Sequence, residues 1–258
     1  MKTVNDKRSL TIRIIFYILG LAIQSFGLTL NTKTGLGVSA VIVFAYAVSQ
    51  IAEANFGNAT FVLFGVFIAG QMVIHAIMHR QGRELASGSL KKQLVMDVLQ
   101  FPMAYVLTRF MNFISWVLPQ FDTDFPGSFW GSVFWRIVLT LIAIVCTGVG
   151  AAMSLNMRII PNSGDGIVQA LSDISRKKLG LTKNIFDITS ICVTLITGFL
   201  FAGTVTGINL GGLVFSEHQI GVGIGTILSM IGVGRVVALY NKLFFEKQVR
   251  AAGVSYGL

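Results

Sequence analysis

Six long apolar runs dominate this sequence and limit what the chain can fold into. They span residues 12–30, 59–78, 94–118, 134–155, 185–201 and 220–245. A helix needs about 20 predominantly apolar residues to cross a bilayer, so each run predicts one membrane-spanning helix. The composition agrees, because 53% of the residues are hydrophobic and 12% are charged, whereas soluble domains carry about a quarter charged residues. The sequence therefore predicts an all-α polytopic membrane protein whose main partner is the lipid bilayer.

The charge distribution favours membrane topology over nucleic-acid binding. The net charge is +9, but the 20 Lys and Arg residues lie mostly in short segments between apolar runs, as the positive-inside rule predicts for cytoplasmic loops. Motifs of common enzymes, such as HExxH and GxSxG, are absent, and the histidines and cysteines lack metal-ligand spacing. We therefore expect no nucleic acid partner, no catalytic residues, no metal and no cofactor.

An internal repeat organises the chain into two halves. Thr29-Leu30-Asn31 recurs as Ser154-Leu155-Asn156, about 125 residues later, and each copy ends a long apolar run. Residues 47–57 align without gaps to residues 170–180, with four identities that include a closing glycine. We expect one membrane domain made of a first repeat over residues 1–120 and a second repeat over residues 121–258.

Two short segments leave two topologies open: 36–52, which is apolar, and 164–175, which contains Asp165, Gln169 and Asp173. If both cross fully, the chain has eight spans in parallel repeats, and the basic segment 79–92 falls outside when the N-terminus is inside. If both are re-entrant, this segment falls inside together with 176–178 and both termini, and the repeats are inverted, as in many secondary transporters. The positive-inside rule favours inverted repeats with six long helices, two short re-entrant helices and cytoplasmic termini.

Two glycine-bearing turns are the candidate binding elements, because non-helical backbone at membrane depth must be buried in protein or line a wet cavity. Each turn leads into a short helix, whose free N–H groups and partial positive charge favour an anion or a carbonyl-bearing solute. Ordinary helix capping without a ligand would use the same residues. Arg109, in the middle of a predicted span, would supply counter-charge to the solute or pair with Asp165 or Asp187. The predicted substrate-binding residues are Asn31, Gly35, Gly37, Ser39, Arg109, Asn156, Ser163, Gly164 and Asp165.

The glycine and apolar motifs resemble those of the bacterial YczE/YyaS/YitT integral membrane family. The first turn reads Gly-Leu-Gly-Val-Ser-Ala over residues 35–40, and residues 56–60 read Phe-Gly-Asn-Ala-Thr. Gly-Ile-Gly-Thr over 223–226 and Lys-Leu-Phe-Phe over 242–245 continue the likeness. Many members have a proline after the first glycine turn, where this chain has Ser39-Ala40. The resemblance implies a multi-pass protein of the bacterial plasma (inner) membrane, with transport as the usual supposition, and it supplies no catalytic residues.

These features together favour a secondary transporter or permease for a small polar or anionic solute, with its site at the interface of the two repeats. The competing hypothesis is a non-transporting membrane scaffold or regulator that binds a partner protein through its basic loops. A polar cavity between the glycine turns would favour transport, and a dry, packed interface would favour the scaffold. Assembly of the chain into a homo-oligomer is compatible with either hypothesis.

Overall fold

The computed structural model describes residues 3–85, 87–202, 205–209, 212–215 and 218–253, and side-chain surroundings for residues 9–85, 87–202 and 219–253. The described residues form nine α-helices, one short 3-10 helix and three β-strands. The helices are α1 (Thr3–Lys33), α2 (Val43–Ile51), α3 (Phe56–Arg80), α4 (Leu90–Val98), α5 (Gln100–Val117), α6 (Val133–Asn156), α7 (Ser163–Ser175), α8 (Leu179–Ala202) and α9 (Ile224–Ala251), and the 3-10 helix covers Phe129–Gly131. The strands are β1 (Val205–Asn209), β2 (Gly212–Phe215) and β3 (His218–Gly223).

Six helical stretches in the described residues are long and apolar enough to cross a membrane, as predicted. Five are single helices, and the sixth is the pair α4 and α5, which joins at Leu99. Pro102 explains the break, because it has no N–H to donate to the carbonyl of Val98 and is tolerated in the first turn of α5. Large apolar side chains on these helices point outward: Val62 on α3 and Leu200 on α8 are 66% and 67% exposed. The fold is that of a multi-pass membrane protein.

The two short helices are too short to span a bilayer. Helix α2 has 9 residues and α7 has 13, which at 1.5 Å per residue gives about 14 and 20 Å against a hydrocarbon core of about 30 Å. The prediction of six long and two short helices is therefore confirmed, and the alternative of eight full spans is wrong.

Helix α7 enters and leaves on the same side of the molecule. Its first residue, Ser163, accepts a hydrogen bond through its carbonyl from Gln71, two-thirds of the way along α3. Near its C-terminus, the carbonyl of Ile174 accepts a 2.8 Å hydrogen bond from Arg83, which lies just beyond the end of α3. The chain therefore descends after α6 as a non-helical segment, residues 157–162, and returns as a helix.

Helix α2 has the corresponding arrangement at the opposite end. The carbonyl of Ala40, just before α2, accepts a 2.8 Å hydrogen bond from Ser190, halfway along α8. The carbonyl of Lys33, at the end of α1, accepts from the segment between α5 and α6. The start of α3 lies at the same level, because Gly57 contacts Asn112 in the last turns of α5. Thus α2 also starts deep in the molecule and returns to the side from which the chain came.

The packing of the long helices is symmetric between the two halves. Helix α1 packs along α6, α1 also contacts α5, and α6 correspondingly contacts α9. The re-entrant helices are exchanged, since α2 packs against α8 and α7 packs against α3. The repeat register agrees with this symmetry, because Gly57 and Gly180 are the second residues of α3 and α8. The predicted boundary near residue 120 falls between α5 and α6.

A small antiparallel sheet, in the order β1-β2-β3, interrupts the otherwise helical chain. The predicted last span over 220–245 is wrong at its start, because residues up to Gly223 are strand and the helix begins at Ile224. Strand β3 holds the first glycine turn: Val38 donates to the carbonyl of Gly221 at 2.8 Å. Gly221 has a φ of +75°, a left-handed conformation that favours glycine.

Candidate functional site

A cavity of about 1120 Å³ lies between the two halves of the molecule. It extends from the segment that follows α3 to the tips of the two re-entrant segments. We define these tips as residues 39–42, before α2, and residues 161–166, at the start of α7. The tips are neighbours, since a Cβ on Gly164 would lie 2.8 Å from Cγ1 of Val41. The polar and charged residues that line the cavity are Gln24, Ser39, Gln71, His75, Gln81, Arg83, Glu84, Ser87, Gln93, Asp97, Gln100, Thr147, Asn162, Asp165, Gln169, Asp173, Arg176, Lys183, Asp187 and Ser229.

A pair of buried glutamines joins three elements at the cavity wall. Gln100 Nε2 donates to Gln71 Oε1 at 2.9 Å, and Gln71 Nε2 donates to Gln100 Oε1 and to the carbonyl of Ser163 at 3.2 Å each. Each side chain is 1% exposed. Buried amides are costly unless they are hydrogen-bonded, so this pair fixes the tip of α7 against α3 and α5.

A histidine and an aspartate form a second buried pair one helical turn away. A 2.7 Å hydrogen bond joins His75 Nδ1 on α3 and Asp97 Oδ2 on α4. Their exposed fractions are 7% and 1%. His75 follows Gln71 by four residues, and Asp97 precedes Gln100 by three, so both pairs lie on the same faces of α3 and of the α4–α5 stretch.

Two aspartates and one lysine lie at the deep end of the cavity. Lys183 Nζ donates to Asp187 Oδ2 at 2.9 Å across one turn of α8. Asp187 is 1% exposed, and its Oδ1 is buried with no hydrogen-bond partner among the described residues. Asp165, in the first turn of α7, lines the same cavity as Lys183 and Asp187. This cluster, Asp165 with Lys183 and Asp187, is called the deep charge cluster below.

Three of the nine predicted site residues line the cavity, and a fourth supports its wall. Ser39, Gly164 and Asp165 line it, and Ser163 contributes the carbonyl that accepts from Gln71. The two re-entrant tips approach each other where Gly164 lies against Val41.

The other five predicted residues are not among the residues that line the cavity. Asn31 is buried behind it and donates to Ser229 Oγ at 2.8 Å. Asn156 donates to Asn241 Oδ1 at 2.9 Å and to Gln248 Oε1 at 3.1 Å, near the end of α9. Gly35 lies beside Asp122 and Arg136, and Gly37 lies against Thr226. The fifth residue is Arg109.

Arg109 has different neighbours from those expected. Its guanidinium donates to Asn58 Oδ1 and lies over the ring of Tyr105, with 5.0 Å to the ring centroid. The expected pairing with Asp165 or Asp187 is wrong, because α5 carries Arg109 to the start of α3, and Lys183 occupies the place beside Asp187.

Sequence reasoning did not select the two buried pairs or Lys183. Their signal is polar residues spaced three or four apart within apolar spans: Gln71 with His75, Asp97 with Gln100, and Lys183 with Asp187. Such residues share one helix face, and polar residues within membrane helices usually face the protein interior.

The comparisons with known proteins identify a family but no activity. Residues 11–216 match the sequence model of DUF6198, described as a family of unknown function. The chain belongs to this family. The match begins within α1 and ends one residue beyond β2, so it includes both re-entrant segments and the deep charge cluster of this DUF6198 member. No curated protein and no solved structure matches the chain.

Proposed function

We propose that this protein is a secondary transporter or permease for a small polar solute. The observation that carries the proposal is the cavity, which is lined by buried polar side chains and extends from one end of the molecule to both re-entrant tips. A scaffold has no need for such a space, because its partner binds at the surface. Apolar packing would also be less costly than the buried amides and carboxylates found there.

The arrangement of the two halves suggests how the solute would cross. Each re-entrant helix packs against a long helix of the other half, so relative motion of the halves would move both tips together. In the inverted-repeat transporters, rocking of one repeat against the other exposes the site alternately to the two sides. We propose the same motion here, with the two halves divided between α5 and α6.

The distribution of basic residues supports an orientation. The hydrogen bond from Arg83 to Ile174 brings residues 79–92 and 176–178 to one end of the molecule. The α9 terminus shares an end with the start of α1, because Ser9 Oγ donates to the carbonyl of Ala252 at 2.6 Å. By the positive-inside rule, we propose that both termini and the cavity mouth face the cytoplasm of a bacterium. The resemblance to the YczE/YyaS/YitT family, on the motifs given above, implies the same location in the inner membrane.

The proposal can be tested without knowing the solute. Ser39 lines the cavity at the first tip, so Ser39→Cys is introduced into a variant in which Cys146 and Cys192 are replaced by serine. The protein is reconstituted into proteoliposomes, and a membrane-impermeant maleimide is supplied from either side. Alternating access predicts labelling of Ser39→Cys from both sides.

Two control positions define the sides. Ser87→Cys, at the cavity mouth, should label from one side, and Ser128→Cys, between α5 and α6, from the other. Labelling of Ser39→Cys from the mouth side alone would contradict transport and favour the scaffold hypothesis.

A further inference from the structure

The deep charge cluster contains a carboxylate oxygen that the described protein leaves without a partner. Asp187 is 1% exposed and lines the cavity, and its Oδ1 accepts no hydrogen bond from any described residue. A buried acceptor without a donor destabilises the folded protein, and it does so more strongly when it is charged. A donor that arrives from the cavity would remove this cost.

The charges in the cluster are unequal. Asp165 and Asp187 share this end of the cavity with one cationic side chain, Lys183, which contacts Asp187, and Arg109 lies elsewhere. On the neighbouring helices α3 and α4, His75 and Asp97 are paired with each other. Four other charged residues lie towards the mouth, namely Arg83, Glu84, Asp173 and Arg176. Of these, Arg83 donates a hydrogen bond to the carbonyl of Ile174, and Asp173 accepts one from Gln169. The deep end of the cavity therefore carries two carboxyl groups and one ammonium, an imbalance of acceptors and donors that favours a cationic occupant over an anion.

The geometry points to an ammonium group. Lys183 Nζ is a primary ammonium with three N–H donors, and it already occupies the cation position 2.9 Å from Asp187 Oδ2. Its side chain is 29% exposed, and it is attached by a flexible stem, so it can leave this position more readily than a buried residue. An incoming ammonium would present the same donors to the same oxygens.

We propose that the solute is a small organic cation whose primary ammonium group binds between Asp165 and Asp187 and exchanges there with Lys183 Nζ. This inference rests on the proposed transport function and replaces the expectation of an anionic solute. The cavity, at about 1120 Å³, has room for the organic part of the solute. Because Lys183 restores an ammonium when the solute leaves, the aspartates keep a counter-ion in the empty state.

The test compares three cations at equal concentration with the full-length protein in detergent. Methylammonium has a primary ammonium, tetramethylammonium has the same charge without N–H donors, and Na⁺ represents an inorganic cation. A ligand that binds the folded state raises the Tm by mass action. We expect methylammonium to raise the Tm, and tetramethylammonium and Na⁺ to leave it unchanged. Equal shifts with all three cations, or no shift with methylammonium, would overturn the proposal.

Variants locate the binding site. Asp165→Asn and Asp187→Asn should each abolish the methylammonium shift, whereas Lys183→Met should enlarge it by removing the competing ammonium. Glu246→Gln, which removes an exposed carboxylate on α9, is the matched control and should keep the full shift. If Asp187→Asn does not fold, Asp165→Asn and Lys183→Met decide the question. A methylammonium shift that persists in Asp165→Asn would place the cation elsewhere and refute the proposal.

The result is separable from that of the transport test. If Ser39→Cys labels from both sides but methylammonium has no effect on the Tm, the ammonium solute is wrong and transport stands. If methylammonium binds as expected but Ser39→Cys labels from one side, the protein binds a cation without alternating access.

Discussion

The close contact between α1 and α6 allows a quantitative test of the fold. Gly20 on α1 faces Gly150 on α6, and a Cβ added at Gly20 would lie 2.8 Å from both the carbonyl oxygen of Gly150 and the backbone nitrogen of Ser154. Ordinary Cβ contacts begin near 3.4 Å, so Gly20→Ala would force the two helices about half an ångström apart. Both obstructing atoms belong to the backbone, so a change of side-chain rotamer cannot relieve the clash.

The expected loss follows from two opposing effects. Overpacking a well-packed contact costs about 1–3 kcal/mol, whereas replacing glycine by alanine within a helix gains roughly 0.5–1 kcal/mol. Gly65→Ala is the matched control, because its Cβ would meet a single side-chain atom, of Phe101, at 3.5 Å. Gly65→Ala should therefore show the gain alone, and the difference between the two variants should be about 1–3 kcal/mol.

Unfolding by SDS, followed by far-UV circular dichroism, measures this difference in free energy. Membrane helices depend on small residues where their backbones approach closely, and the contact of α1 with α6 joins the two proposed repeats. If Gly20→Ala and Gly65→Ala have the same stability, the close approach of α1 and α6 is refuted.

Three further predictions concern the site and its supports. Gln71→Leu should lower the free energy of unfolding by about 1–3 kcal/mol, because it leaves Gln100 unpaired. The double variant with Gln100→Leu should lose less stability than the sum of the two single losses. A double-mutant cycle measured by thermal melting checks both expectations. Arg109→Gln should keep the methylammonium-induced Tm shift, since Arg109 lies outside the cavity, and loss of that shift would contradict the site. Gly221→Ala should lower the free energy of unfolding by roughly 1–2 kcal/mol, because alanine disfavours a left-handed φ. Its Cβ would also lie 2.5 Å from the Tyr46 ring. Unchanged thermal melting would count against the turn described here.

Hydropathy and length were enough to predict most of the fold. Each of the six long runs coincides with a helical stretch that is long and apolar enough to cross a membrane. The start of α9 was missed because the glycine-rich apolar residues 220–223 have the hydropathy of a helix but form the end of a strand. Hydropathy does not distinguish a strand from a helix, and the hydrogen bond between Gly221 and Val38 depends on tertiary structure.

The candidate site was predictable only in part. The two turns were found because glycines at membrane depth indicate interrupted helices, and both tips reach the cavity. The sequence could not show which basic residue lies beside the aspartates, because Arg109 and Lys183 both lie in apolar helices. Their partners depend on helix rotation and on packing between the halves. Gln71 and Gln100 are 29 residues apart in the sequence, so their spacing gives no indication of the hydrogen bond between them.

The meeting of the two re-entrant tips inside the protein is the central claim, and a disulfide between them tests it most directly. Val41→Cys and Gly164→Cys are combined in a background without Cys146 and Cys192, because Cγ1 of Val41 lies 2.8 Å from the position of a Cβ on Gly164. The account predicts that oxidation in native membranes protects both cysteines from a maleimide after denaturation, and that reduction restores labelling.

The control pair, Val41→Cys with Glu246→Cys, should remain fully labelled after the same treatment. If the tip pair also stays labelled after oxidation, the two turns do not meet, and neither the shared cavity nor the proposed transport site is supported.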